Sequence, residues 1–144
     1  MPAKKTFRLS PSEPEPDLLV FGMATAVRDY QLAFLLNQTL PADFVRQTEI
    51  EVELPRQMQR IAFTWFRFSD EDLQLNCFLV TNKSGNEFFI PEYRQADFLL
   101  CVQGPEAPFR RSELIRQLKS LQALQLVFEI DIRRIKFKDR LIFE

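Results

Sequence analysis

Arg60-Ile61-Ala62-Phe63-Thr64-Trp65-Phe66-Arg67-Phe68 alternates with the period of a strand, yet both of its faces are apolar. Ile61, Phe63 and Trp65 point one way; Ala62, Thr64, Phe66 and Phe68 point the other. A strand with one wet side would carry polar residues on it. The segment is therefore predicted as one long central strand, covered on both sides. Working outward, Ser69-Asp70-Glu71-Asp72 reads as a charged turn, and Leu73 to Asn82 as the returning strand, with Leu73, Leu75, Cys77 and Leu79 on one face. After the turn Lys83-Ser84-Gly85-Asn86, Glu87 to Ile90 is expected as a third antiparallel strand, making residues 58–90 a meander. Upstream, Ile50, Val52 and Leu54 alternate with Glu49, Glu51 and Glu53, which predicts a half-buried strand whose solvated glutamates discourage edge-to-edge pairing.

Further out the period lengthens. Leu18 to Phe21 reads as a short strand, Gly22 to Thr25 as a connector with Thr25 as helix N-cap, and about Ala26 to Thr39 as a helix. Val27, Tyr30, Ala33 and Phe34, widened by Leu32, Leu35 and Leu36, give that helix a broad apolar arc, so it is expected to pack on two sides, the second being a loop or another subunit. Downstream, Glu92 to Gln95 reads as one helical turn or a bulge, and Asp97 to Gln103 as a strand. Ser112 is expected to cap a helix over about Glu113 to Leu121, striped by Leu114, Ile115, Leu118 and Leu121. Leu124, Leu126, Phe128 and Ile130 alternate strictly, and Arg140-Leu141-Ile142-Phe143 would form a last edge strand. Strands clustered between two helices predict an α+β fold: a mainly antiparallel β-sheet (meander) with two main α-helices packed on it. Residues 1–16, with Pro2, Pro11, Pro14 and Pro16, read as a flexible polar tail, and residues 17–144 as a single domain.

Composition narrows the chemistry. The 144 residues include no histidine, 3 glycines and 2 cysteines. That leaves no Ser-His-Asp or Cys-His nucleophile, no His-based zinc site, no all-thiolate zinc site and no glycine-rich phosphate cradle. Cys77 and Cys101 sit in apolar runs and read as small buried hydrophobes that a reducing compartment keeps as thiols. Fifteen phenylalanines against 2 Tyr and 1 Trp favour a dry core or an apolar contact surface. No apolar run approaches the roughly 20 residues of a membrane helix, and no secretory signal is visible, so the cytoplasm is the expected compartment. Charge is uneven: residues 109–144 carry nine Lys/Arg against five Asp/Glu, and residues 1–108 ten against fifteen. Such asymmetry suits an acidic partner or the complementary faces of a dimer.

One short stretch reads as a signature: Ile90-Pro91-Glu92, three residues, then Ala96-Asp97-Phe98. It resembles the motif of the IPExxxVDY family of bacterial proteins. Arg28-Asp29-Tyr30-Gln31-Leu32-Ala33, Leu36-Asn37, Phe128-Glu129-Ile130-Asp131 and Leu141-Ile142-Phe143 are similar to other parts of that family. Ala96 and Phe98 depart from the Val and Tyr of the motif, and Phe98 lacks the hydroxyl. The resemblance implies no activity.

Three candidate sites follow. Glu92 and Asp97 would serve as an acid/base pair or hold a divalent cation, or else satisfy turn backbone and pair with Arg94. The basic group of Arg110, Arg111, Arg116, Lys119, Arg133, Arg134, Lys136, Lys138 and Arg140, with Phe109 and Phe137, would bind phosphates or RNA, but acidic residues interrupt it and the pI is about 5.6. The apolar surplus of the first helix and the meander would form an interaction surface. The favoured expectation is a non-enzymatic protein-interaction or adaptor module without cofactor or metal, homodimeric, using Asp29 and Tyr30 together with Ile90, Pro91, Glu92, Arg94, Asp97 and Phe98. The alternatives are a small-ligand or metal-binding protein, possibly an enzyme, using Glu92 and Asp97, and an RNA-binding accessory factor using Arg133, Arg134, Lys136 and Lys138.

Overall fold

The structure is a computed structural model and describes residues 17–54 and 58–141. The expected tail and the Ile142-Phe143 end of the expected last strand lie outside them. In chain order the elements are β1 (Leu18–Thr25), α1 (Asp29–Thr39), β2 (Val45–Arg46), β3 (Ile50–Leu54), β4 (Gln59–Phe63), β5 (Trp65–Asp70), β6 (Leu75–Thr81), β7 (Lys83–Ser84), β8 (Glu87–Phe88), β9 (Phe98–Gln103), α2 (Arg111–Lys119) and β10 (Leu124–Glu129). Four short 3-10 turns lie at Pro91–Tyr93, Ala107–Arg110, Ile132–Arg134 and Lys138–Leu141.

Six strands form one antiparallel sheet in the order β10-β1-β9-β6-β5-β2, and two small hairpins, β3-β4 and β7-β8, stand apart from it. The fold is mainly antiparallel sheet with two helices. Strand alternation sorts the core into two layers. Leu19, Phe21, Met23, Phe66, Leu79, Leu100 and Val102 meet Leu32, Ala33 and Leu36 of α1 and Leu118 of α2 on one face. On the other, Val20, Phe78, Val80, Leu99 and Cys101 are covered by Phe63 of β4, by Phe89, Ile90 and Ala96, and by Ile130, Ile132, Ile135 and Leu141. With both faces covered, β1, β9 and β6 are the buried centre and read as continuous apolar runs.

Several boundaries differ from the sequence expectations. The strand expected over residues 60–68 breaks at Thr64. Its faces are as expected, with Ile61, Phe63 and Trp65 in one layer and Phe66 and Phe68 in the other. At the break the Thr81 N–H still donates to the Thr64 carbonyl (2.9 Å), but the Thr64 N–H turns to the Thr81 hydroxyl (3.0 Å), so a side chain takes over half of a rung of the ladder. β4 then leaves the main sheet to pair with β3. Glu87 to Ile90 does not continue the meander: only Glu87-Phe88 pairs, and with Lys83-Ser84, while β9 takes the place beside β6.

Thr25 does not cap α1. It belongs to β1, its hydroxyl donating to Ala123 (2.6 Å), and α1 begins at Asp29 with Arg28 at the N-cap and Gln31 bonding back to the Arg28 N–H (2.9 Å). Within the chain α1 buries one side, through Leu32, Ala33 and Leu36, and no described loop covers the other, where Tyr30 and Phe34 are each 60% exposed. Ser112 lies inside α2, which starts a residue earlier. In β10 a register shift opposite Ala24/Thr25 ends the strict alternation, so Leu124 and Val127 join the helical layer while Phe128 joins the other. Phe128 crosses over Gly22, where a Cβ would stand 2.4 Å from its ring, so the close approach requires glycine. Residues 138–141 form a 3-10 turn, not the start of a strand.

Candidate functional site

The signature segment closes the far end of the sheet, and Asn82, read from the sequence only as the end of a strand, organises it. Asn82, wholly buried, follows β6 directly. Its Oδ1 accepts from the Ile90 N–H (2.8 Å), and its Nδ2 donates to the carbonyls of Tyr93 and Ala96 (2.9 Å each). Its own N–H donates to the Asp97 carbonyl and its carbonyl accepts from Phe89 N–H, at 2.9 and 2.8 Å. One side chain thereby satisfies a loop that enters the core and cannot satisfy itself there. Pro91 opens the 3-10 turn at a position where a missing N–H costs nothing. Ile90 is buried at 0% and Phe98 at 6% exposure, one on each face of the sheet. Those two, expected among the contact residues, are core instead. The Phe98 ring lies in the apolar helical layer.

The two signature carboxylates have separate partners. Asp97 Oδ2 accepts from the Thr25 N–H (2.9 Å), while Oδ1 pairs with Lys83 Nζ (2.7 Å). Asp97 thus ties the end of β1 and the start of β7 to the start of β9, and its cationic partner is Lys83, not the expected Arg94. Arg94 lies over the Phe88 ring at 5.1 Å. Glu92 accepts from the Lys136 N–H, which fastens the C-terminal turns onto the signature. Nearby, Arg140 donates to the carbonyls of Phe89 (2.7 Å) and Phe88 (3.3 Å) and stacks on Phe137 at 4.1 Å. Burial draws its pKa down, opposed by the charges of Asp139, Glu92 and Glu87. Among the described residues, no group of three or more His, Cys, Asp or Glu is placed to hold a metal ion.

The basic group does not form one patch. Arg110 to Lys119 lie along α2 in the helical layer, whereas residues 132–140 sit against the opposite face. Several members are engaged: Arg110 with Glu113 (3.3 Å), Arg111 with Glu129 (2.8 Å), Arg133 and Arg134 with Asp131 (3.1 and 3.8 Å). The hydrogen bonds from Arg133 hold the Asp131 carboxyl below the usual carboxylate range. The cysteines also part. They lie on adjacent strands, but Cys77 faces the helical layer and Cys101 the other, and both are free thiols.

A vacant space lies elsewhere, in the helical layer. A cleft of about 80 Å³ opens between α2, the β5-β6 hairpin and the chain leaving α1. Leu40, Phe44, Phe68, Leu73, Cys77 and Leu114 are among its apolar walls, and Asp70, Arg110, Glu113 and Gln117 stand at its polar positions. The volume is several times the roughly 10–15 Å³ that one water requires, so an apolar side chain can enter. Cys77 is the thiol among its walls, and burial first, then the Asp70 charge, pushes it up to about 12. It is a thiol at neutral pH and weakly reactive.

No family model matches the chain, and no curated protein matches it. Asp29 and Tyr30, the other expected contact residues, lie at the start of α1: Asp29 accepts from the Tyr30 N–H (2.8 Å), and the Tyr30 ring is exposed. The cleft went unseen in the sequence because its walls come from four segments, near residues 40–44, 68–77, 100–102 and 110–117, which no local spacing connects.

Proposed function

We propose that this protein is a non-enzymatic interaction module that binds a polypeptide segment through the cleft between α2 and the β5-β6 hairpin. The observation that carries the reading is the chemistry of that cleft. Its walls are apolar, and its thiol is held protonated. Apolar burial supplies binding free energy without any reacting group, at about 25 cal/mol per Å². The polar rim sets which segments fit. Asp70 and Glu113 stand there with Arg110 already paired to Glu113, and the turn continues with Glu71 and Asp72. An apolar anchor flanked by basic residues is the complementary ligand. The signature turn has a different task in this reading: Glu92 and Asp97 hold three chain segments together and leave the cleft side of the sheet free to bind. Kinship with the IPExxxVDY proteins is part of the same proposal and adds no activity to it.

A photo-crosslinking side chain placed at Gln117 tests the reading in the native cell. It is expected to capture one polypeptide, and capture is expected to vanish when Leu114 is also changed to Glu. Equal capture from position 92 and from position 117, unaffected by Leu114→Glu, would refute it. A homodimer is a second proposal, supported by Tyr30 and Phe34, one helical turn apart and both exposed. Light scattering should report a dimer that Tyr30→Glu/Phe34→Glu converts to a monomer; a wild-type monomer at high micromolar concentration would remove it.

A further inference from the structure

Resting on the binding reading above, we infer that Phe109 sets the specificity of the cleft: it holds an arginine of the bound segment, two residues from the apolar anchor, flat on its ring and against the Glu113 carboxylate. Placement comes first. The 3-10 turn Ala107–Arg110 runs directly into α2, and at the junction Arg110 (φ −96°, ψ −2°) and Arg111 (φ −52°, ψ −55°) both keep right-handed helical backbone. Residues four apart on such a run share a face. Phe109, Glu113 and Gln117 therefore form one row, and Glu113 and Gln117 line the cleft. Phe109 stands one turn beyond the cleft's end, with its ring 82% exposed. Ala107 of the same turn is wholly buried, and the Phe109 N–H donates to the Glu106 carbonyl (3.1 Å), so the ring is presented on a fixed base.

Chemistry comes second. Asp70 and Glu113 stand at the cleft's polar positions, and each already accepts one bond: Asp70 Oδ1 from the Leu73 N–H (3.1 Å), Glu113 Oε2 from Arg110 (3.3 Å). A carboxylate has a second oxygen for a further donor. An aromatic face beside a carboxylate suits a guanidinium, which stacks by its plane and donates from its edge; an ammonium has no plane to stack. The chain itself displays the difference. Arg140 lies 4.1 Å from the Phe137 ring while donating to the Phe89 carbonyl (2.7 Å), whereas Lys83, drawn to Asp97 (2.7 Å), stays 5.9 Å from the Phe88 ring. Spacing comes last. From Leu114, a wall of the cleft, back to Phe109 is five residues, about 7.5–8.5 Å along the helical run. Two residues of extended chain span about 6.6–6.8 Å and their side chains point the same way. An extended segment with an apolar anchor and an arginine two positions away therefore meets both.

NMR titration of the isotope-labelled full chain tests the inference, with the capped peptides Gly-Leu-Ser-Arg-Gly and Gly-Arg-Ser-Leu-Gly and with the same peptides carrying glutamine in place of arginine. Initial slopes of the amide shifts at Leu75, Cys77 and Leu114 rank the affinities well short of saturation. At least one arginine peptide is expected to bind more tightly than its glutamine counterpart by about 3–30-fold, the product of an exposed cation–π contact and a surface ion pair. In Phe109→Ala, shown to be folded by circular dichroism, that preference should shrink about 2–5-fold, and in Phe109→Tyr it should persist. An arginine preference undiminished in Phe109→Ala would overturn the inference, as would equal slopes for the arginine and glutamine peptides. Either result, with the shifts still centred on the cleft, leaves the binding reading standing. Shifts at no cleft residue with any of the peptides would overturn both.

Discussion

Replacing Asn82 with Ala is the sharpest test of how the signature segment is held. The change removes three hydrogen bonds, to the Ile90 N–H, the Tyr93 carbonyl and the Ala96 carbonyl. Ile90 and Ala96 are wholly buried, so their groups have no water to turn to, whereas Tyr93 is half-buried and regains some. An orphaned buried polar group costs about 1–3 kcal/mol. Two such groups give about 2–6 kcal/mol, and local relaxation brings the expectation to about 4 kcal/mol. For a domain of this size that lowers Tm by roughly 10–20 °C. Urea denaturation followed by tryptophan fluorescence measures the difference directly, with Asn86→Ala as a control at an exposed turn position, expected within about 0.5 kcal/mol of wild type. A loss below about 1 kcal/mol for Asn82→Ala would show that the loop does not depend on this side chain.

Other predictions follow from the packing and the thiols. Gly22→Ala drives a methyl into the Phe128 ring and should cost about 1–3 kcal/mol, with Phe128→Leu recovering most of it; an unchanged midpoint would mean that the ring moves freely aside. Arg140→Ala removes the donor to the Phe88 and Phe89 carbonyls and should cost about 1–2 kcal/mol in chemical denaturation; no loss would show those carbonyls resolvated at once. The folded-state pKa of Cys77 is raised to about 12 and that of Cys101 lies higher still. The stability held by the neutral thiols is complete below the unfolded value of about 8.5 and declines as pH rises toward 12. Replacing both by Ala should flatten the measured stability between pH 8.5 and 10.5; an equally steep decline in the variant would assign it to other groups.

Most of the sheet was legible where both neighbours and faces were apolar. The two faces of residues 61–68, the stripe of α2 and the β5-β6 hairpin follow from side-chain period alone, because burial of one face fixes register. Two of the misses share a cause: a side chain doing the work of backbone. The Thr81 hydroxyl splits the long strand, and Asn82 satisfies a loop that periodicity would have continued as a strand. A polar residue at the end of an apolar run was the available signal for Asn82, but many surface turns begin the same way. The signature pair Glu92 and Asp97 was visible by composition, yet its bonds to Lys136 and Thr25 join residues 44 and 72 positions away. Tertiary pairing at that separation leaves no spacing to read.

Quantitative affinity capture from the native cell, run side by side with wild type, Leu114→Glu and Glu92→Gln, bears most directly on the central claim that the cleft is the working surface and the signature a brace. Each protein is first shown to be folded by circular dichroism. The same partner should be recovered with wild type and Glu92→Gln at comparable yield and lost with Leu114→Glu. Recovery that survives Leu114→Glu and disappears with Glu92→Gln would contradict the account.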